Sequence, residues 1–189
     1  LAFRLLWGVV GSSTARFAGF VAGPGRVLAH VRGLRGGAEV APVVGHNPLG
    51  GWSVLALLGL LTLQVGLGLF AQDTDAVESG PLNYLVSYET GKLAGEIHGA
   101  VFNLILLFVA IHLAAIAYYR FVKHDNLIQP MITGTRRFAV PVAAPRMAPW
   151  WRAVLCAVLA AALAWWIALG APKPGQKPPA KQLDASEYM

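Results

Sequence analysis

Of the five histidines in the 189-residue chain, two have a spacing that chemistry can use. His98 and His112 lie 14 positions apart in one long apolar stretch. Fourteen helical steps of about 100° fall within about 40° of whole turns, so both imidazoles leave one helix face. At about 1.5 Å per residue they stand roughly 21 Å apart along the axis, most of the depth of a hydrocarbon core of about 30 Å. A zinc ion needs converging ligands, which this separation forbids. Taken alone, either imidazole reads equally well as half of an interhelical hydrogen bond, since an unpaired polar ring in lipid is costly. Two on one face at opposite depths instead suit two haems stacked across a bilayer. Each iron would take one axial imidazole from this helix and one from a facing helix.

The elements that must position them are membrane spans. With 56% hydrophobic and 13% charged residues and a mean hydropathy of +0.56, the composition is far from that of a soluble domain. Three stretches are long enough to cross a bilayer: Leu49 to Ala71, about Leu93 to Tyr119, and about Trp151 to Gly170. Trp52, Trp150, Trp151, Trp165 and Trp166 fall at or near the ends of the first and third, where amphipathic rings favour the interface. The second carries Glu96, His98, Asn103 and His112 and must face protein or a cofactor. Loop charges alternate. Arg16, Arg26, Arg32 and Arg35 stand against Glu39 before the first span, and Arg120, Lys123, Arg136, Arg137, Arg146 and Arg152 against Asp125 after the second. Between those spans Asp73, Asp75, Glu78 and Glu89 outweigh Lys92. The two basic loops are therefore expected in the cytoplasm and the acidic one outside. Pro24 followed by Val27, Leu28, Val31 and Leu34 predicts a short amphipathic helix on the inner membrane face, stopped by Gly36 and Gly37. A single cysteine, Cys156, excludes an intrachain disulfide and a CxxC metal site. No nucleophile, catalytic dyad or phosphate-binding loop is present, so bond-making chemistry is not indicated.

Several motifs together narrow the reading. The His-x13-His helix accompanies Gly45-His46-Asn47-Pro48-Leu49-Gly50-Gly51 before a span ending Gln64-Val65-Gly66-Leu67-Gly68-Leu69-Phe70, with Ala15-Arg16-Phe17 and Gly23-Pro24 upstream. Over about Leu1 to Arg137 this combination resembles the bacterial di-haem cytochrome b561 family, in particular the cytochrome b subunits associated with nickel-iron hydrogenases. The resemblance implies an all-α integral membrane helical bundle, a four-helix di-haem core with Trp151 to Gly170 as an appended C-terminal helix. It implies two haem b groups, with His98 and His112 as iron axial ligands facing partners from the first two helices. Against that pattern the first helix and part of the second are missing. Leu1 to Val10 resemble the end of the second helix, so the opposing ligands are expected upstream of Leu1. The domain reading is 1–137 for the partial haem-binding domain, 138–171 for the additional helix with its lead-in, and 172–189 for a disordered Pro- and Lys-containing tail.

Other polar residues carry weaker expectations. His46 shares the cytoplasmic side with His112 but precedes its span, whereas His112 is about seven residues, or roughly 10 Å, inside from Tyr119. Axial ligation by His46 is disfavoured by that depth mismatch. With Asn47 it is expected to cap the span or to contact a haem propionate or quinone head group. Arg4, Arg16 and Arg120 are candidates to pair with inner-haem propionates, although topological positive charge is the stronger explanation. Gln64 and Asn103 are expected to hydrogen-bond between helices, Glu96 to be a solvated carboxylate at a helix start, and His30 and His124 to be solvated. Gly59, Gly66, Gly68, Gly95 and Gly99 permit close approach of a helix or a flat macrocycle. The functional expectation is a multi-pass b-type cytochrome of the bacterial inner membrane. It would carry electrons between an extracytoplasmic partner, a cytochrome c or hydrogenase-type subunit, and the quinone pool. The rival is a haem-free membrane anchor or assembly subunit in which the two histidines only bridge helices.

Overall fold

The computed structural model describes residues 1–35, 44–72 and 78–172. It is built of helices α1 (Ala2–Val10), α2 (Phe17–Phe20), α3 (Pro24–Arg35), α4 (Pro48–Phe70), α5 (Tyr88–Phe121), α6 (Ile128–Thr133) and α7 (Trp150–Ala168), with a 3-10 turn at Asn83–Leu85. Among the described residues there is no strand, only one isolated bridge between Gln72 and Ser79. The all-α membrane bundle is therefore the observed architecture. Helices α4, α5 and α7, of 23, 34 and 19 residues, are long and apolar enough to cross a bilayer. They leave most of their large apolar side chains exposed, as surfaces bathed in lipid do.

Local chemistry fixes the span ends. Asn47 is the N-cap of α4: its side chain accepts from the Gly50 amide at 2.6 Å, and Pro48 follows at the first helical position. At the far end of α4 the chain folds back on itself. Gly80 N donates to Ala71 O and Leu82 N to Leu69 O, which satisfies carbonyls the helix cannot. Gly80 lies so close to the Gly68 and Leu69 carbonyls that no Cβ fits there.

Helix α5 starts at Tyr88, five residues before the expected Leu93. The polar segment joins the helix because Ser87 accepts from the Thr90 amide at 3.3 Å and Glu89 sits in the positive first turn. Glu96 is consequently an exposed residue well inside the helix, not a first-turn carboxylate.

The loops gather at two ends. At one, His30 and Asn47 meet Tyr119, Lys123 Nζ donates to Leu34 O at 3.0 Å, and the turn after α1 is bonded to the segment before α7. At the other, the Tyr84 hydroxyl donates to Gly170 O, and Gln72 N donates to Gly91 O at 3.0 Å. This is the segregation that the charge alternation requires. The amphipathic helix is α3 as expected, while its Gly36-Gly37 stop, the acidic residues Glu39, Asp73 and Asp75, and the tail beyond Pro172 lie outside the described residues.

Candidate functional site

Helices α4 and α5 pack antiparallel over their whole length, and the pairs between them run in step. Climbing α4 from Asn47 through Ser53 and Gln64 to Gln72, the partners on α5 descend from Tyr119 through His112 and His98 to Gly91. His98 and His112 thus both face the α4 side, at opposite ends of the pair.

The two imidazoles are held differently. Ser53 Oγ lies 3.0 Å from His112 Nδ1, and Nε2 of that ring has no hydrogen-bond partner among the described residues. In the tautomer whose Nδ1–H donates to the serine, the Nε2 lone pair is the available ligand atom, and the hydroxyl, which can donate or accept, orients the ring in either tautomer. His98 is bonded at both nitrogens by one residue. Its Nδ1–H donates to the Gln64 backbone carbonyl at 3.0 Å, and its Nε2 accepts from the Gln64 side-chain amide at 2.9 Å. Gln64 Oε1 is buried with no hydrogen-bond partner among the described residues, so within them this amide is only half satisfied. Gly68 makes room for the ring, since a Cβ there would stand 2.9 Å from His98 Cε1. Gly95 approaches the Gln72 backbone, whereas Gly59, Gly66 and Gly99 face open space.

A second cluster gathers at the end where α4 begins. The His46 ring lies 4.6 Å from the Phe20 ring, its Nδ1 buried and without a hydrogen-bond partner among the described residues. Arg4 spreads over Phe17 and Phe20, at 5.0 and 6.0 Å from their centroids, with Nη1 buried and likewise without a partner among them. Burial holds the His46 imidazole below its usual value, the nearby Arg4 charge pushes it further down, and a backbone interaction with Thr14 opposes both. Beside the cluster, Tyr119 OH accepts from Asn47 Nδ2 at 3.0 Å and donates to His30 Nε2 at 2.9 Å. His30 is therefore buried, at 9% exposure, and not the solvated loop residue expected from sequence. Burial lowers its proton affinity as well.

Of the two predicted caps, Asn47 caps the span and His46 packs under α2. Asn103 bonds within its own helix, to Gly99 O at 3.2 Å, rather than across helices. Arg120 is exposed at the end of α5, and Arg16 is exposed at the start of α2, beside α7.

The match to a family model decides what this arrangement serves: the model described as prokaryotic cytochrome b561 covers residues 1–134. The chain belongs to the prokaryotic cytochrome b561 family. Comparison with curated proteins and with solved structures found no significant match. As a prokaryotic cytochrome b561, the protein is a membrane b-type cytochrome that transfers electrons, and its cofactor is haem b. The match ends before α7, which lies beyond the family core.

The residues present fit that cofactor. His112 offers Nε2, which has no hydrogen-bond partner among the described residues, without rearrangement, and His98 offers its Nε2 once the Gln64 amide turns aside. Sequence reasoning missed Ser53 and Tyr119. Ser53 is a small hydroxyl five residues into a span, on which spacing alone confers no role, and Tyr119 was indistinguishable from an interfacial aromatic.

Proposed function

We propose that this cytochrome b561 carries electrons across the bacterial inner membrane, as a multi-pass protein, between an extracytoplasmic cytochrome c or hydrogenase-type partner and the quinone pool. Two haem b groups would be held at different depths, His98 offering its imidazole to the outer one and His112 to the inner one. Opposing ligands come from outside the described residues. When bound, the haems supply one-electron chemistry at potentials set by ligation and burial. The chain's own part is positional. Ser53 sets the direction of the His112 ring, the Gln64 carbonyl fixes both the direction and the tautomer of His98, and the rise of α5 keeps the two rings roughly 21 Å apart. The observation that carries the reading is the His112 ring, anchored at Nδ1 and free at Nε2.

Haem quantification and low-temperature reduced-minus-oxidised spectra of the full chain in membranes test it. His112→Leu should lose the inner haem or turn it high-spin while the outer spectrum persists, and His98→Leu should do the reverse. His46→Leu should keep both. Two low-spin haems in His112→Leu would sink the ligand assignment. The interhelical bonds of Gln64 to His98 and of Ser53 to His112 are also what the rival predicts, a haem-free anchor whose histidines bridge helices, and an absence of b-type absorption from the purified protein would decide for it.

A further inference from the structure

Where α1 ends and α7 begins, the chain is stitched together at the end that carries the basic loops. Ser13 N donates to Arg146 O and Arg146 N to Ser13 Oγ, both at 3.0 Å, and Ala148 N donates to Ser12 Oγ at 3.0 Å. Ser12 is itself buried. This frame holds three arginines, Arg16, Arg146 and Arg152, around two adjoining cavities of about 420 and 210 Å³ that share Arg16 and Arg152. The larger cavity is amphipathic: beyond its two arginines its walls are Val9, Val10, Trp151 and Leu155. The smaller one brings in Arg146.

Among the described residues no carboxylate pairs with any of the three, and the ion pair that does form is Arg136 with Asp125 at 2.8 Å. Arg152 donates one Nη1–H to Val10 O at 3.3 Å and lies 5.4 Å from the Trp151 ring centroid, and its other N–H groups have no hydrogen-bond partner among the described residues. Helix α7 opens toward this place with no side-chain cap and no acidic residue in its first turn, so its dipole adds to the positive potential. An interfacial tryptophan marks the depth.

A cleft that is cationic at its interfacial end and apolar toward the bilayer matches one kind of molecule. We propose that the α1–α7 junction binds the phosphodiester head group of an anionic phospholipid, with an acyl chain lying over Val9, Val10 and Leu155. Arginine forks suit a phosphodiester because two parallel N–H groups meet two oxygens, and a basic pocket between spans on the cytoplasmic side is where such head groups settle. A zwitterionic lipid would bring its ammonium into a cluster of like charge. The inference rests on the multi-pass membrane placement in the proposed function and not on the haem ligands.

Native mass spectrometry of the full chain in detergent, titrated with phosphatidylglycerol, phosphatidylethanolamine or inorganic phosphate, tests it. Phosphatidylglycerol should be retained at about tenfold lower concentration than phosphatidylethanolamine, the scale of a charge-assisted hydrogen bond or two. Arg16→Gln with Arg152→Gln should abolish that preference. The control pair Arg136→Gln with Arg137→Gln, which removes the same charge elsewhere, should keep it. Arg16→Gln alone, whose side chain makes no hydrogen bond among the described residues, carries the test if the Arg152 variant does not fold. Equal retention of the two lipids, equal loss in the control pair, or displacement of the lipid by millimolar inorganic phosphate overturns the proposal. Release of the protein from membranes by alkaline carbonate would instead overturn the membrane placement on which it stands.

Discussion

Replacing Ser53 by alanine removes one hydroxyl from the neighbourhood of His112 and leaves the imidazole in place. The hydrogen bond lost is 3.0 Å long and joins two half-buried groups. A neutral bond of that kind contributes a net stabilisation of about 0.5–1.5 kcal/mol, a factor of roughly 2–12 in a binding constant. Loss of an outer partner that orients a metal-bound histidine costs about 10–100-fold, because the ring is also free to turn away. The two ranges meet near tenfold, which is the weakening expected for haem at the His112 site. The assay is haem retention in purified full-length protein under graded detergent washing, with the proposed inner and outer haems resolved by low-temperature spectra. Ser53→Ala should lose the inner haem selectively and Ser53→Thr should restore it, since threonine keeps the hydroxyl. Unchanged retention in Ser53→Ala, or equal loss of both haems, would refute the assignment of Ser53 as the group that positions His112.

At the other end of the helix pair, Gln64→Leu removes the amide that occupies His98 Nε2, so haem binding there should tighten by up to about tenfold, read by the same wash series. Weaker binding would mean that the amide supports the site. Stability should depend on pH through His30 and His46, both held below the ordinary imidazole value by burial, His46 additionally by the Arg4 charge. The unfolded chain takes up these protons first, so their contribution is complete above about pH 6.5 and is lost as pH falls from there toward the lower folded values. Thermal unfolding should therefore shift down between pH 7.5 and 5.5, and less so in His46→Gln; a flat profile would contradict the burial of both rings. For topology, in a Cys156→Ser background a cysteine at Ser79 should react with an impermeant maleimide in intact spheroplasts and one at Thr135 only after permeabilisation. The opposite pattern would invert the orientation.

The parts of the fold legible in the sequence are those governed by transfer to lipid. Long apolar runs gave the three spans to within a few residues, and the alternation of Arg-rich and acidic loops matched their segregation into two ends. The His98–His112 face was equally readable, because helical periodicity alone puts positions 14 apart on one side. What lies across from each ring was not readable, since it depends on the register of α4 against α5. A shift of one turn would replace Ser53 and Gln64 as partners. The polar start of α5 was missed because hydropathy does not report helix: Tyr88 to Lys92 are helical through the Ser87 cap although no lipid demands it. His30 was misread for a related reason. Its burial comes from Tyr119, 89 positions away, and no local pattern announces such a contact.

The unequal lengths of the spans have a mechanical consequence. Helix α7, at 19 residues, rises about 28 Å, nearly the thickness of the hydrocarbon layer, while α5, at 34 residues, rises about 51 Å. The short helix has no slack, so it acts as the depth gauge that anchors the molecule vertically, its tryptophans pinned at either face. The polar opening turns of the long helix can meet lipid or water at little cost, while the bonds from Gln72 N to Gly91 O and from the Tyr84 hydroxyl to Gly170 O hold that end against α4 and α7. In a thicker or thinner membrane the vertical adjustment is therefore taken up at the Tyr88 end, and the ring whose exposure to water changes with bilayer thickness is His98 rather than His112.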